Sequence, residues 1–470
     1  MNKMILNRTI NKVALIAVVL ATLSACDGFL EDDIVSPNDP ATVTPELLLA
    51  NVQVATFAGY CGQLTRQSLV FNRQLAGTAE GSQSQEIAQY NITELTNVNE
   101  WEAIWAGAVV DCRSIINDYG TESPYYGGIA KVILVMNIGL ATDLWGDVPF
   151  DEAGLGLTVG LTPAYQSQEV VLERIQTTLD AAIIDLSSGV NDNVFFPGSD
   201  DLIFGGNVAS WIQTAWILKA RYANRLSQRD PSGSADDVIA YLQQGAAASS
   251  ANDAFMNFFD GNAINQWRAF ENDRGAYYRV SKSFADLLIG NNDPRLEFFL
   301  GLDGDGAYSG TPYDDQSISN TSYVGDLYAT ASSPVPLVTY VEAKFLEAEA
   351  QLRAGAAGMA ADAHNDGVIA SVLQVTGSSP SQDFIDAFAS ETAGTISLET
   401  IMGQKYIALY IQIETYADWR RTGVPDLDPY ANAVISGIPV RLPTPQDERL
   451  YNPNAVVVGD PLVPVYWDVD

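Results

Sequence analysis

Apolar residues recur at helical spacing through most of this chain, and strand-like alternation is scarce. Between residues 101 and 116 they occupy positions i, i+4, i+8, i+11, i+14 and i+15, which is one face of an α-helix. Residues 129–144 are apolar almost all round, which predicts a buried helix. The same spacing predicts further helices over 170–186, 208–226, 238–248, 338–352 and 398–419. We therefore expect a mainly α fold.

Several predicted helices have similar lengths and occur in pairs, with small residues such as Ala348 and Ala350 where helices would cross. This pattern resembles tetratricopeptide packing, although no strict repeat of about 34 residues is present. Residues 290–336 differ, being rich in Gly, Asp, Ser, Tyr and Pro. A loop region this long in a compact protein is usually functional or disordered. We predict a single helical domain over 45–470 with a loop-rich insertion at about 260–336.

The first residues have the order of a secretory signal. Lys3, Arg8 and Lys12 precede the apolar run 13–21, which is too short to span a bilayer. The following Leu-Ser-Ala-Cys sequence looks like a bacterial lipobox, in which Cys26 becomes the lipidated first residue. The alternative is an ordinary signal peptide with an incidental cysteine. We predict a signal peptide over 1–25, and no later segment is expected to reach membrane-spanning length.

Residues 26–44 are acidic and contain two prolines, which predicts an extended tether. Such an acidic stretch after a lipidated cysteine also resembles the surface-export signals of Bacteroidetes lipoproteins; a soluble linker is the alternative. Removing 1–25 deletes three positive charges, so the net charge of 26–470 is 21 minus 58, or −37. This charge argues against nucleic-acid binding and against adhesion to anionic lipid, so the acyl chains must hold the protein at the membrane.

The residues that usually carry catalysis or metal binding are sparse. The single histidine, His364, is expected in a solvated polar turn, and no zinc-protease, nucleophile-elbow or phosphate-loop motif occurs. Asp303 and Asp305 suggest a calcium loop but depart from the EF-hand pattern. Cys61 and Cys112 could form a disulfide or remain two buried thiols. We expect no cofactor and no enzymatic activity.

Four segments, with the lipobox before them, occur in the order found in the SusD/RagB family of outer-membrane lipoproteins. They are 144–153 (LWGDVPFDEA), 293–296 (DPRL), 339–350 (TYVEAKFLEAEA) and 418–425 (DWRRTGVP), the last followed by 438–443 and Asn452. The resemblance implies a tetratricopeptide-like scaffold, an irregular part carrying the ligand site, and a cell-surface protein that captures a glycan. It also implies a partner, a SusC-like TonB-dependent transporter of the outer membrane.

These motifs also have a purely structural interpretation. Gly423 suits a left-handed helix cap and Pro425 forbids continuation, while Arg420 and Arg421 occupy the last turn, at the negative end of the helix dipole. We therefore expect the motifs to determine the fold rather than to contact ligand.

A sugar ring has an apolar face that an aromatic side chain can cover, so aromatics outside helical stripes are candidate platforms. Each could equally be a packing residue. The candidates are Trp267, Tyr277, Tyr278, Tyr308, Tyr313, Tyr323, Trp101 and Tyr90.

Three other functions remain open at this point. They are peptide capture by a RagB-like member, a non-catalytic interaction scaffold, and an uncharacterised hydrolase.

Overall fold

Most helices of the protein follow the predicted spacing, but the helix expected over 238–248 begins at Pro231 and ends at Leu242. The computed structural model describes residues 43–156, 159–245, 249–259, 261 and 263–469; the signal peptide, Cys26 and nearly all of the tether lie outside them. Residues 48–470 form one compact unit. In the first half the helices are α1 (Pro45–Cys61), α2 (Gln63–Phe71), α3 (Gln83–Ala88), α4 (Val98–Glu102), α5 (Val110–Ser114), α6 (Pro124–Trp145), α7 (Gln168–Leu186), α8 (Val208–Asn224) and α9 (Pro231–Leu242).

The second half begins with a mixed segment and returns to long helices. Its helices are α10 (Gln266–Arg274), α11 (Lys282–Gly290), α12 (Leu296–Phe299), α13 (Asp326–Ala329), α14 (Tyr340–Arg353), α15 (Ala357–Thr376), α16 (Gln382–Phe388), α17 (Leu398–Ala408), α18 (Glu414–Thr422) and α19 (Gln446–Tyr451). Three two-stranded antiparallel ladders pair β1 (Leu75–Gly77) with β5 (Tyr278–Val280), β2 (Val148–Pro149) with β3 (Tyr165–Gln166), and β4 (Ala254–Met256) with β6 (Val335–Val338).

The scaffold consists of consecutive helix pairs. Helix α6 packs on α7, α8 on α9, and α14 on α15, while α7 contacts α8 and α9 contacts α14. This is the predicted mainly α, tetratricopeptide-like arrangement. The segment 260–336 is less irregular than expected, because it contains α10, β5 and α11 before the loops begin.

Helix α6 is buried along almost its whole length, as its all-round apolar sequence predicts. It is also the one helix of the described residues that is long and apolar enough to cross a membrane, which corrects the expectation that no later segment reaches that length. Because 94% of its apolar window is buried inside the protein, it serves as a core helix.

The predicted helix 398–419 is wrong as a single helix. It is broken into α17 and α18 by a segment in which Ile411 has a φ of +62°, a conformation that is strained for a β-branched residue. The side chain of Gln74 supplies hydrogen-bond partners to the buried backbone there. Its amide nitrogen donates to the Tyr406 carbonyl at 2.7 Å, and its oxygen accepts from the Ile411 N–H at 3.0 Å. A distant residue thus stabilises the break.

The third and fourth family-like segments meet in a buried ionic network. Arg421 pairs with Glu349 and with Asp418, which also binds Lys405 at 2.7 Å. Burial opposes ionisation of Asp418, but Lys405 and Arg421 outweigh it and hold the pKa of its carboxyl at about 2. The neighbouring pairs of the network are Arg221–Glu342, Arg221–Glu414, Arg225–Asp143, Arg225–Glu414 and Arg353–Glu349.

The helix stop after α18 forms as predicted. Gly423 has a φ of +69° in the left-handed region. Arg420 donates across the core to the carbonyls of Asp143, at 2.6 Å, and Val440, at 2.9 Å. The two arginines therefore join neighbouring elements, and their role in the structure is architectural.

Burial decides the outcome of the predictions made for the two cysteines and for the histidine. Cys61 and Cys112 are free, buried thiols, so the two-thiol alternative holds and no disulfide is present. Burial raises the pKa of Cys61 to about 12. His364 was expected in a solvated turn but is fully buried in α15, where its ring packs against Phe345.

A half-buried carboxyl makes the stability of the scaffold depend on pH. Asp253 accepts from the Tyr340 N–H at 2.6 Å and from Gln374 at 3.0 Å, and burial raises its pKa to about 7 despite these bonds. Since the folded state holds this proton more tightly than the unfolded chain, the contribution of Asp253 to stability falls as the pH rises from about 4 to about 7.

Asp253→Asn keeps the shape and loses the charge, so it should raise the melting temperature over wild type by roughly 1–2 °C at pH 7.5 and by almost nothing at pH 4.5. Thermal unfolding of both proteins at the two pH values measures this. A variant that gains as much at pH 4.5 as at pH 7.5 would contradict it.

Candidate functional site

A short ladder brings two distant parts of the chain together at one cavity. In the β1–β5 ladder Leu75 lies opposite Val280, so Arg73 and Ser281 meet just beyond its end. The Ser281 hydroxyl donates to the Arg73 carbonyl, and the Ser281 N–H donates to the Gln74 carbonyl at 3.1 Å. Arg73 has a φ of +64°, and such strain in a non-glycine residue often marks a functional position.

The loop that carries Tyr313 is held on the same ladder. The N–H of Thr311 donates to the Val280 carbonyl at 2.9 Å, and the N–H of Lys282 donates to the Thr311 carbonyl at 2.8 Å. Gly310 permits this approach, because a Cβ there would lie 2.4 Å from the Ser281 carbonyl oxygen. These bonds hold the loop, which is distant in the sequence from β1, at one edge of the β1–β5 ladder.

These segments enclose a cavity of about 340 Å³, which we call the Arg73 cavity. The guanidinium of Arg73 lies between two aromatic rings, 4.1 Å from the centroid of Tyr430 and 4.7 Å from that of Tyr313. Tyr430 is buried, whereas 44% of Tyr313 is exposed. Arg73 is itself buried, and its Nε has no hydrogen-bond partner. The other lining residues are Ser281, Lys282, Ser283, Asp286, Thr311, Pro312 and Asp314.

The arrangement can bind a hydroxyl-rich ligand. An exposed tyrosine ring offers a face for stacking, a buried guanidinium offers a rigid set of donors, and serine, threonine and carboxylate groups surround them. Positive and negative side chains both line the cavity, so it does not select strongly for one charge.

A second, smaller recess contains three of the predicted platforms. Trp267, Tyr278 and Tyr323 line it together with Arg66, whose guanidinium lies 4.1 Å from the Phe270 centroid. Trp267 and Tyr278 are almost fully buried, and only Tyr323, at 37%, is well exposed. Trp267 and Tyr278 are therefore packing residues, and Tyr323 supplies the accessible ring of the recess.

Two of the predicted stacking platforms are buried in the structure and not accessible to a ligand. Tyr90 is buried against Phe71 and Tyr430, and Trp101 is buried against Trp105 and Trp145. Neither has a face left for a ligand. Their polar neighbours in the sequence suggested exposure, but aromatic partners from distant segments cover them.

Two further candidates, Tyr277 and Tyr308, are half-buried and lie outside both recesses. Asp303 and Asp305 lie in one loop that is stabilised by hydrogen bonds within the loop. The Asp303 carboxylate accepts from the N–H groups of Asp305, at 3.0 Å, and Ala307, at 2.9 Å. Within the described ranges no group of three or more His, Cys, Asp or Glu residues could hold a metal ion.

The sequence interpretation missed Arg73, Ser281 and Tyr430 as site residues. They are far apart in the chain and follow no common motif. The signals that identify them, a positive φ and a pair of rings around a guanidinium, exist only in three dimensions.

Comparisons with known proteins agree with this architecture. The family model described as "Starch-binding associating with outer membrane" matches residues 37–445. A solved structure named a chitin-binding protein is 26% identical with a TM-score of 0.76, covering 91% of this chain and 100% of its own. A chitin-binding SusD homolog from Flavobacterium johnsoniae is 19% identical, with a TM-score of 0.75 and coverage of 91% and 98%.

A SusD/RagB family protein from Bacteroides thetaiotaomicron is 23% identical, with a TM-score of 0.74 and coverage of 91% and 99%. Among curated proteins, none matches the sequence significantly. The family model covers most of the chain, and the solved structures share its fold over 91% of it. The chain therefore belongs to the SusD-like family.

Proposed function

We propose that this protein is a cell-surface glycan-binding lipoprotein that captures an oligosaccharide of the chitin type and passes it to a SusC-like TonB-dependent transporter of the outer membrane. The observation that carries the proposal is the Arg73 cavity, where an exposed tyrosine ring stands beside a buried guanidinium with an unpartnered Nε. Membership of a family described as starch-binding and outer-membrane-associated supports it, as does the likeness to a chitin-binding protein at 26% identity.

The lipid anchor is the second part of the proposal. The lipobox ending at Cys26 and the acidic tether support attachment to the outer membrane at the cell surface. The protein is proposed to bind its glycan without cleaving it, because the sequence carries no recognisable nucleophile or metal motif. Incubation of the pure protein with chitooligosaccharides, with a heat-killed sample as control, should leave the chains intact.

Tyr313 provides the sharpest test of the site. Tyr313→Ala removes the exposed stacking face and should weaken chitooligosaccharide binding about tenfold, since loss of a well-packed aromatic contact costs about 1.4 kcal/mol or more. Tyr313→Phe keeps the face and should bind within about threefold of wild type. Isothermal titration calorimetry measures all three proteins.

Tyr451→Ala is the matched control, because Tyr451 is 74% exposed and lines neither the Arg73 cavity nor the smaller recess. If Tyr313→Ala binds chitooligosaccharides as tightly as Tyr451→Ala does, the binding site does not include Tyr313. A wild type that ignores chitooligosaccharides and binds peptides would replace the glycan proposal with peptide capture.

A further inference from the structure

A larger cavity of about 560 Å³ also has α11 in its lining, and we call it the Gln404 cavity. Helix α11 contributes Lys282 and Asp286 to the Arg73 cavity and Leu287 to the Gln404 cavity. The segment after α18 is shared in the same way, with Val424 in the Gln404 cavity and Tyr430 in the Arg73 cavity. The two cavities are therefore built on the same pair of elements.

The charge of the Gln404 cavity is of one sign. Glu391, Glu399 and Asp426 line it, and no Lys, Arg or His side chain does. None of the three carboxylates forms an ion pair within the described part of the chain. Their field in a partly enclosed space attracts a cation.

One polar atom of a buried side chain in the cavity has no hydrogen-bond partner among the described residues. Gln404 is only 7% exposed, and its Oε1 accepts from Arg295 at 3.2 Å. Its amide nitrogen has no hydrogen-bond partner among the described residues, so it remains free to donate to a ligand oxygen. Because Arg295 is a donor, the oxygen must face it, and this fixes the orientation of the amide.

Neighbouring Gly403 keeps the space open. It lies inside α17, where glycine destabilises a helix by about 1 kcal/mol relative to alanine, yet a Cβ there would meet no atom within 4 Å. The helix would tolerate a side chain at this position, and its absence enlarges the cavity. Part of the lining is apolar, and Leu287, Phe388 and Pro425 offer surface to a ring.

We propose that the Gln404 cavity binds a protonated amino sugar, a hexosamine residue whose nitrogen is not acetylated. The ammonium group pairs with the carboxylates, a ring oxygen or hydroxyl accepts from Gln404, and the apolar face of the sugar packs on Phe388 and Pro425. The inference rests on the proposed function in that the ligand is a glycan. Partly deacetylated chitin would contact both cavities around α11.

The test is calorimetry with a fully deacetylated glucosamine tetramer and with the N-acetylated tetramer. The double variant Glu399→Gln/Asp426→Asn changes two exposed carboxylates and should weaken binding of the glucosamine tetramer at least tenfold. Its control, Glu173→Gln/Asp236→Asn, makes the same change of net charge at exposed positions outside the cavity and should bind as wild type does. Binding of the N-acetylated tetramer should be unchanged in both double variants.

Gly403→Leu separates binding from folding. It fills the cavity and should abolish glucosamine binding, while its melting temperature stays at or above that of wild type because a helical glycine is removed. Wild-type affinity for the glucosamine tetramer in Gly403→Leu, or in the carboxylate double variant, would overturn the inference.

The two proposals fail in different ways. If wild type binds the N-acetylated tetramer and not the glucosamine tetramer, the amino-sugar site is wrong and the proposed function stands. If it binds only the glucosamine tetramer and the carboxylate variant loses this, the cavity assignment stands and the site at Tyr313 is wrong. If a tetralysine peptide binds with the same sensitivity and the glucosamine tetramer does not, the occupant is a peptide and the inference falls.

Discussion

Asp293→Ala should lower the free energy of unfolding by about 3–5 kcal/mol, because it strands a buried guanidinium. Asp293 and Arg295 belong to the second family-like segment, and both side chains are fully buried. The Asp293 carboxylate accepts from the backbone N–H of Arg295 at 2.9 Å and from its Nε and Nη2 at 2.9 and 2.6 Å. Without Asp293, the Arg295 guanidinium keeps two hydrogen-bonded side chains among the described residues, Ser371 and Gln404, and both are neutral.

Chemical denaturation of both proteins measures the loss. The matched control is Asp151→Ala, which removes a comparable pair with Arg174 whose side chains are 45% and 46% exposed. That change should stay within about 0.5 kcal/mol, because solvent screens exposed pairs.

A double variant separates the buried charge from general damage to the core. Asp293→Ala/Arg295→Met removes both charges and should be more stable than Asp293→Ala alone, since an apolar replacement of a buried pair is often close to neutral. A single variant within about 1 kcal/mol of wild type, or a double variant less stable than the single one, would contradict the assignment.

Cys26→Ser should release the protein from the membrane almost completely. Two or more acyl chains give stable attachment, whereas a single myristoyl chain gives only marginal binding, with an association constant of about 10⁴ M⁻¹. The net charge of −37 over residues 26–470, from 21 positive and 58 negative side chains, offers no electrostatic substitute at an anionic surface. Membrane fractionation with palmitate labelling measures this change.

Cys112→Ala is the control, since it removes a buried thiol outside the lipobox and should keep both label and membrane location. A salt wash of the membranes distinguishes lipid attachment from retention by a partner protein. Cys26→Ser that still carries label and still sediments would show that the anchor lies elsewhere.

Local patterns determined the helical part of this protein. The apolar residues of α6 leave the helix no polar face, so the helix had to be removed from water. Gly423 adopts the left-handed conformation expected from the Gly-Val-Pro sequence after α18. Both inferences use interactions within a few residues of the chain, and the surroundings did not alter them.

Tertiary contacts decided where helices break and which aromatics remain accessible. No local rule separates α17 from α18, because the group that stabilises the break is Gln74, which bonds to residues more than 300 positions away. His364 lies in a polar stretch of sequence, yet the helix that contains it turns it into the core. A local sequence pattern indicates the conformation that a residue prefers. Whether the residue is buried depends on which other segments of the chain pack on it.

The candidate site shows the same division. Composition indicated that the loops after residue 290 carry tyrosines among polar residues, and one of these, Tyr313, lies exposed at the Arg73 cavity. Arg73 and Tyr430 are separated from it by more than 100 residues each. Arg73 joins it because β1 pairs with β5 and the loop rests on Ser281, and Tyr430 is held there by the bond that its hydroxyl donates to the Leu75 carbonyl at 3.3 Å. The sequence by itself determined the class of fold and the kind of side chains available for binding. The tertiary structure alone decided which of them share a cavity, since hydrogen bonds of the ladder and packing of the rings act between segments that no sequence spacing connects.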